Sequence, residues 1–419
     1  MSCNLNLQRN TKIFYSTIDL ASGDPVTDMV PANTWQVEVL AGYAVSQAAA
    51  TQDITTLESG LTPDRAVTRF NTAINPVEWN FQCYLKPTGI TNTKANTDGV
   101  SATSNAKPVA DWFLWQAALS NTAPAVGSEE QSVWENGGIF RSVSRVASAN
   151  VAAHTPNFAV AQENHLYIVM DNVYYQVSNA AVNEASVDSA IDSIATTTWT
   201  GFGTNLVELR NGPRNNAVSV FGGVLNSGVE TSANSNAYAV TAESAYQPWN
   251  SYNVASSIAS ASFIKNRLTT LSAFHTPASG SPVNYTFPVT AMNWSLNNNI
   301  TYLTPEELST LNAPIGNFAG SRTISGTFSA YLRHGTAQSA TFLKNIVEDS
   351  RVSHSTAANA NLQVGGTSVP YVAFYHPAVQ FDFPTHAIED VISVSAAFQA
   401  QESVDNCGNG DEVTIFAVK

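Results

Sequence analysis

A six-residue phrase that occurs twice, far apart, constrains this chain more than any other feature. Phe81-Gln82-Cys83-Tyr84-Leu85-Lys86 and Phe328-Ser329-Ala330-Tyr331-Leu332-Arg333 share the pattern F-x-x-Y-L-[KR], each closing a segment that alternates apolar and polar residues. Upstream of each lies a second shared phrase, Leu61-Thr62-Pro63-Asp64 and Leu303-Thr304-Pro305-Glu306. Leu61 stands 24 residues before Leu85, and Leu303 stands 29 before Leu332. Downstream of each comes a one-sided apolar stripe. Two strand-like runs follow, split by an acidic polar turn: 166–177 and 194–199 in the first copy, 371–383 and 391–398 in the second. A single short phrase recurs by chance easily, but several elements recurring in one order indicate a duplication.

The runs 34–39, 77–85, 165–177, 285–296, 323–332 and 371–383 alternate with period two between Ser, Thr, Asn and Gly stretches, which selects strands over helices. In them Trp79, Phe81, Phe328 and Tyr331 are expected in the core. Two helices are expected, over 111–119 (apolar at 112, 115, 118 and 119) and 340–349 (apolar at 342, 343, 346 and 347). A short helical turn is expected after Thr304, an N-cap hydroxyl followed by Pro305 at N1 and Glu307 as the capping-box acid. Strands interrupted by one helix do not build a doubly wound parallel sheet. The expected fold is therefore mainly β, with two tandem homologous β-sandwich or barrel domains, each carrying a flanking α-helix. Residues 1–210 make the first domain and 263–419 the second. Residues 211–262, rich in Asn, Ser, Ala, Gly and Val without sustained pattern, bridge them.

Composition narrows the function. Lys and Arg number 18 against 32 Asp and Glu, a net charge of -14 that opposes binding to phosphate backbones or anionic lipid. Cys3, Cys83 and Cys407 are far apart and lack metal-ligand spacing, so neither a disulfide framework nor a zinc site is expected. No basic-then-apolar leader and no membrane-spanning apolar stretch is read, which places synthesis and folding in a reducing cytoplasm. His376 and His386, with Asp382, Glu389 and Asp390 nearby, are the best acid/base or metal candidates, but a polar turn at a strand end explains them more simply. There is no G-x-S-x-G and no Walker A. The acid pairs Glu129-Glu130, Glu306-Glu307 and Glu389-Asp390 sit where solvent-facing turns are expected. No catalytic residue, cofactor or metal is assigned. A duplicated β-unit with few charges and many amides and hydroxyls suits a subunit that buries itself against copies of itself.

The run 297–308 (N-N-N-I-T-Y-L-T-P-E-E-L), then 312–316 (N-A-P-I-G), then 320–332 (G-S-R-T-I-S-G-T-F-S-A-Y-L), resembles the tail tube (major tail) proteins of tailed bacteriophages. So does 191–203 (I-D-S-I-A-T-T-T-W-T-G-F-G). The resemblance implies a β-sandwich or barrel with a flanking helix, related to the tubes of type VI secretion systems and R-type pyocins. It implies a structural virion protein of the tail, assembled in the host bacterial cytoplasm. Family members stack as rings, usually of six tube domains, around the channel through which the genome is ejected. A chain with two such domains is expected to reach that ring as a trimer of pseudo-sixfold symmetry.

The partners so implied are the chain itself, a tail terminator, baseplate or tip proteins, possibly a sheath, and DNA in transient, non-specific passage. The long inter-strand loop that contacts the next ring corresponds to about 47–68 and about 297–321, with Asp53, Glu58, Asp64, Glu306, Glu307 and Asn312 as ring-stacking candidates. Carboxylates lining the channel would keep DNA from adhering, with Asp188, Asp192 and Glu389 as candidates beside Asp53 and Glu58; acids facing outward for solubility is the competing expectation. The competing functions are a two-domain β-sandwich receptor- or carbohydrate-binding virion protein, which needs an exposed aromatic platform, and a hydrolase on a β-scaffold, which needs a concave pocket with convergent acids.

Overall fold

Residues with alternating burial need a partner on each strand edge and a cover on one face, and the topology follows from satisfying both. The computed structural model describes residues 11–16, 34–54, 68–87, 111–119, 138–141, 164–170, 173–210, 263–275, 281–305, 312–350, 358–366, 370–387, 391–401 and 412–418. The bridge 211–262 and the helical turn expected after Pro305 lie outside them.

The first half contains β1 (Thr11–Ser16), β2 (Thr34–Val37), β3 (Ala44–Ile54), β4 (Thr68–Tyr84), α1 (Trp112–Leu119), β5 (Gly138–Arg141), β6 (His165–Met170), β7 (Val173–Ser178), β8 (Ala181–Ala190), β9 (Thr196–Gly203) and β10 (Asn205–Arg210). One sheet runs β10-β7-β6-β1-β2, and β8-β9-β4-β3 pair in a second. The second half contains β11 (Thr270–His275), β12 (Val283–Pro288), β13 (Ala291–Asn297), β14 (Ile300–Leu303), β15 (Gly316–Ala319), β16 (Thr323–Tyr331), α2 (Ser339–Ser350), β17 (Ala358–Val364), β18 (Tyr371–Phe381), β19 (Thr385–Ala387), β20 (Ser393–Ala400) and β21 (Thr414–Val418).

Its pairings repeat those of the first half. The run β21-β18-β17-β11-β12 follows the same order as β10-β7-β6-β1-β2. The run β19-β20-β16-β13 likewise matches β8-β9-β4-β3. The two recurring phrases sit in register: Phe81 of β4 faces Trp199 of β9, and Phe328 of β16 faces Ala396 of β20. Between the halves β8 pairs antiparallel with β13, from Glu184 opposite Asn297 to Ala190 opposite Ala291, so one sheet continues from β3 to β12.

Alternation predicts β2, β4, β6, β7, β9, β12, β13, β16, β18 and β20, misses the other strands, and mis-phases one residue. Trp79, Phe81 and Phe328 are buried as expected, but Tyr331 is exposed because Phe328 and Ala330 take the inward positions of β16. The run 165–177 is not one strand but the hairpin β6–β7, the run 285–296 is split into β12 and β13, which pair with different strands, and β8 lies in a stretch where the pattern predicts none. Small Ala and Val residues alternating with Asn, Glu and Asp form β8, a weak signal for sequence reading because none of its inward residues is large.

The buried side chains form one apolar cluster that passes through both halves. Trp115 of α1 packs edge-on against Trp199 at 4.8 Å and also lies 5.8 Å from Trp294 and 5.9 Å from Phe374, so the first half's helix reaches into the second half's core. Phe342 of α2 meets Tyr285 at 5.1 Å, Phe287 at 5.5 Å and Phe381 at 5.1 Å. Burying each such ring contributes about 2–3 kcal/mol. The buried Asn298 is partnered: its Nδ2 donates to Ala118 O and Val182 O, tying α1, β8 and the end of β13 together.

The hairpin β3–β4 changes character along its length. Near its base Trp79 and Phe81 face inward, whereas Thr51, Gln52, Asp53, Arg69 and Phe70 near the tip are exposed. Pro76 brings no N–H to the ladder, and the register shifts between Gln47 and Ala49 opposite it. Gln47 fills the gap by donating from Nε2 to Asn75 O and Thr204 O and accepting the Leu206 N–H at Oε1.

Candidate assembly surface

The strands β20, β16, β13, β8, β9 and the base of β4 form one continuous wall with two unlike faces. Val187, Trp294, Phe328, Phe398, Trp199 and Trp79 point into the core. The alternate positions carry Glu78, Asn80 and Gln82 on β4, Thr196, Thr198 and Thr200 on β9, and Glu184, Ser186 and Asp188 on β8. They continue with Asn293, Ser295 and Asn297 on β13, Ser325, Thr327 and Ser329 on β16, and Ser395 and Gln399 on β20. Neighbours on this face bond one another: Gln82 Nε2 donates to Thr196 Oγ1 at 3.2 Å, Ser295 Oγ and Ser325 Oγ lie 3.3 Å apart, and Asn293 Nδ2 donates to Asp188 Oδ1. Among these outward positions three are acidic and none is Lys or Arg.

The wall ends on two free edges. β3 pairs only with β4, and β19 only with β20, among the described residues. These edges are the counterparts of the two strands that meet inside the chain. Through the shared register, Thr385, His386 and Ala387 of β19 occupy the places of Ser186, Val187 and Asp188 of β8, while Ala44, Val45 and Ser46 of β3 occupy those of Asn293, Trp294 and Ser295 of β13.

The candidate residues read from the sequence scatter. Asp188 lies on the outward face of β8 and Asp192 is exposed in the turn after it. Asp53 is instead on the exposed end of the β3–β4 hairpin, where Arg69 Nε and Nη2 donate to its carboxylate at 2.6 and 3.1 Å and hold it below the usual carboxylate range. The Asn312 carbonyl accepts the Ile74 N–H at 2.8 Å, which ties the 297–321 segment to the first half's hairpin. Glu58, Asp64, Glu306, Glu307 and Glu389 lie outside the described residues. Glu78 and Glu184 share the face of Asp188 and are missed by the sequence reading. Each alternates with buried neighbours, Glu78 between Val77 and Trp79 and Glu184 next to Ala185, which is the signal that finds them.

The histidines do not converge. His376 is fully buried, accepting Trp294 Nε1–H at Nε2 (3.1 Å) and donating from Nδ1 to Glu412 O (3.0 Å), and burial pushes it down to about 4. His386 is exposed on β19. Asp111, at the start of α1, accepts Trp199 Nε1–H at 3.0 Å and is pushed up to about 6 by burial. Both are indole acceptors inside the core and reach no surface. No group of three metal-ligating side chains occurs among the described residues. Among these residues, too, no helix is long and apolar enough to cross a membrane.

No family model matches the sequence. Over 418 residues the chain is 25% identical to the tail tube protein pb6 of Escherichia phage T5, covering 97% of this chain and 75% of that protein. Among solved structures, a chain of the anti-feeding prophage baseplate is 11% identical and covers 36% of this chain and 93% of its own, at a TM-score of 0.23 that carries no weight for the fold. The resemblance to the tail tube proteins of tailed bacteriophages therefore extends along nearly the whole chain.

Proposed function

We propose that this chain is a tail tube subunit with two tube domains, 1–210 and 263–419 joined by 211–262, and that three chains close into a ring whose inner wall is the cation-free face. The relative's name, tail tube protein, supports the role. The carrying observation is the joint between β8 and β13: two repeats meet edge to edge within one chain, and the same two edges stand free at its ends. Antiparallel pairing of β19 with β3 of a neighbouring chain repeats that joint, a head-to-tail contact that closes when the rotation divides a full turn. Rings then stack into a tube around a channel for DNA. A wall of hydroxyls and amides with Glu78, Glu184 and Asp188 repels phosphate and holds no cation to release counterions against it. The role so proposed is structural rather than catalytic. Stacked rings engage the next ring and the proteins at the ends of the tail through the β3–β4 hairpin and the 297–321 segment.

Paired cysteines test the joint. Ala44→Cys and Ala387→Cys, both exposed in the isolated chain, take the places of Asn293 and Asp188. Oxidation of the double variant is expected to link chains into species ending at three, with neither single variant doing so. Only monomer, or a ladder continuing well past three, overturns the reading.

A further inference from the structure

The phrase F-x-x-Y-L-[KR] is occupied in the first half and bare in the second. The chain entering the second half runs over the turn between β8 and β9. Ala195 N–H donates to Ile264 O at 3.2 Å, Asn266 N–H donates to Ser193 O at 3.3 Å, and Asn266 Nδ2 donates to Ser193 Oγ at 2.8 Å. Ile264 is buried there, and Phe263 is placed edge-on to Tyr84 at 5.4 Å with Lys86 Nζ 4.9 Å from its ring. The Tyr and the basic residue of the phrase thus clamp the strand that leads into the next repeat.

In the second half the receiving turn is built alike, since Leu332 N–H donates to Ile392 O just as Leu85 N–H donates to Ala195 O. Its clamp is empty among the described residues. Tyr331 is 46% exposed, Val391 58% and Ile392 42%, and the exposed Arg333 stands two residues after Tyr331. Three large apolar side chains and a guanidinium left together at the end of a sheet are a surface made to be covered.

We infer that a second copy of this chain covers it, using the residues that lead into its β1 as 263–269 lead into β11. This rests on the ring reading, in which β3 of the neighbour lies on β19 and so brings its β1 and β2 alongside. Val37 and Phe287 stand at equivalent places, since Leu40 N–H donates to Gln82 O as Thr290 N–H donates to Ser329 O, and this sets Leu271 of β11 on Ile13 of β1 and assigns Leu5 to the place of Phe263 and Gln8 to that of Asn266. The amide that holds the turn inside the chain is therefore present again in the segment proposed to hold it between chains. Each chain then strengthens the ring at two places, the strand joint and the clamped lead-in.

An engineered cysteine pair supplies the test. Leu5→Cys combined with Tyr331→Cys, in a Cys3→Ser, Cys407→Ser background, is expected on oxidation with copper phenanthroline to give interchain species that neither single variant gives. Arg333→Ala, which leaves every thiol in place, is expected to raise the protein concentration needed for ring formation about tenfold. Rings that form and carry the Ala44→Cys to Ala387→Cys link, but show no link from residue 5 to 331 and no shift with Arg333→Ala, overturn this inference and leave the ring reading standing. A link from residue 5 to 331 within a single chain overturns it too. Absence of rings and of both links overturns both.

Discussion

At one equivalent position of the two halves the large and small residues are exchanged. Trp79 on β4 lies opposite Gly201 on β9, whereas Gly326 on β16 lies opposite Phe398 on β20. In each half the aromatic ring covers the glycine so closely that a Cβ added there meets it: 2.2 Å from Trp79 at Gly201 and 2.5 Å from Phe398 at Gly326. What the repeat retains is the volume between two strands, and which strand supplies the ring is free to change. A second exchange involves the buried indoles. Trp199 donates to a carboxylate, Asp111, in the first half, and Trp294 donates to an imidazole, His376, in the second. A third is the strand turn: Asn179, with φ at 49°, separates β7 from β8, whereas β18 runs on through Pro377, pairing with β21 before it and with β20 after it.

The comparison breaks first at its packing. Trp79→Ala is expected to cost about 3–5 kcal/mol in denaturant unfolding. If the halves are interchangeable solutions, Trp79→Gly combined with Gly201→Phe, which writes the second half's arrangement into the first, recovers about 1–2 kcal/mol relative to the sum of the single changes. Strict additivity would show that the exchange is coincidental.

Next comes the contrast between the inner joint and the free edge. Val187→Asp buries an unpaired charge beside Trp294 and is expected to destabilise the isolated chain by about 3 kcal/mol or more. His386→Asp, at the matching place on β19, is expected to leave the isolated chain's melting temperature unchanged and to abolish polymerisation. Equal effects of the two on the isolated chain would contradict the assignment of β19 as an open edge.

The indole acceptors titrate in opposite senses. His376, depressed to about 4, penalises the fold as pH falls below the ordinary value near 6.5, and the penalty is complete below 4. Asp111, raised to about 6, favours the fold when protonated; that gain is full below 3.8 and is lost as pH rises through 6. A tenfold change in proton affinity is worth about 1.4 kcal/mol, so each group contributes about 3 kcal/mol and the two offset between pH 4 and 6. Asp111→Asn is expected to uncover a steep acid destabilisation in unfolding curves, and His376→Gln to remove it. A flat profile in Asp111→Asn would show that His376 is hydrated in the fold. The smallest effect is expected at Asp53→Asn, whose Arg69 partner is exposed: melting should not change, and loss of tube growth alone would assign that hairpin to ring stacking.

Much of this is legible in the sequence where large residues alternate. The two phrases fall in equivalent strands because Trp79, Phe81 and Phe328 mark their inward positions unambiguously. Tyr331 is misplaced because an aromatic residue at the end of a strand reads as core unless its phase is counted from Phe328. The joint itself is not legible. β8 is built from Ala, Ser, Val and acids, and what makes it a strand is the pairing with β9 and β13, which no local propensity carries. Asp188 reads as an exposed acid and the alternation around it places it on the outward face, whereas Asp53 reads the same way and is held by Arg69 on the hairpin.

Rotational averaging of the assembled protein by negative-stain electron microscopy tests the central claim most directly. Rings or tube cross-sections of three chains, sixfold at low resolution and threefold when the two halves are distinguished, are what two repeats joined edge to edge predict. A ring of six chains, or a protein that stays monomeric at high concentration with tail extract added, would contradict it.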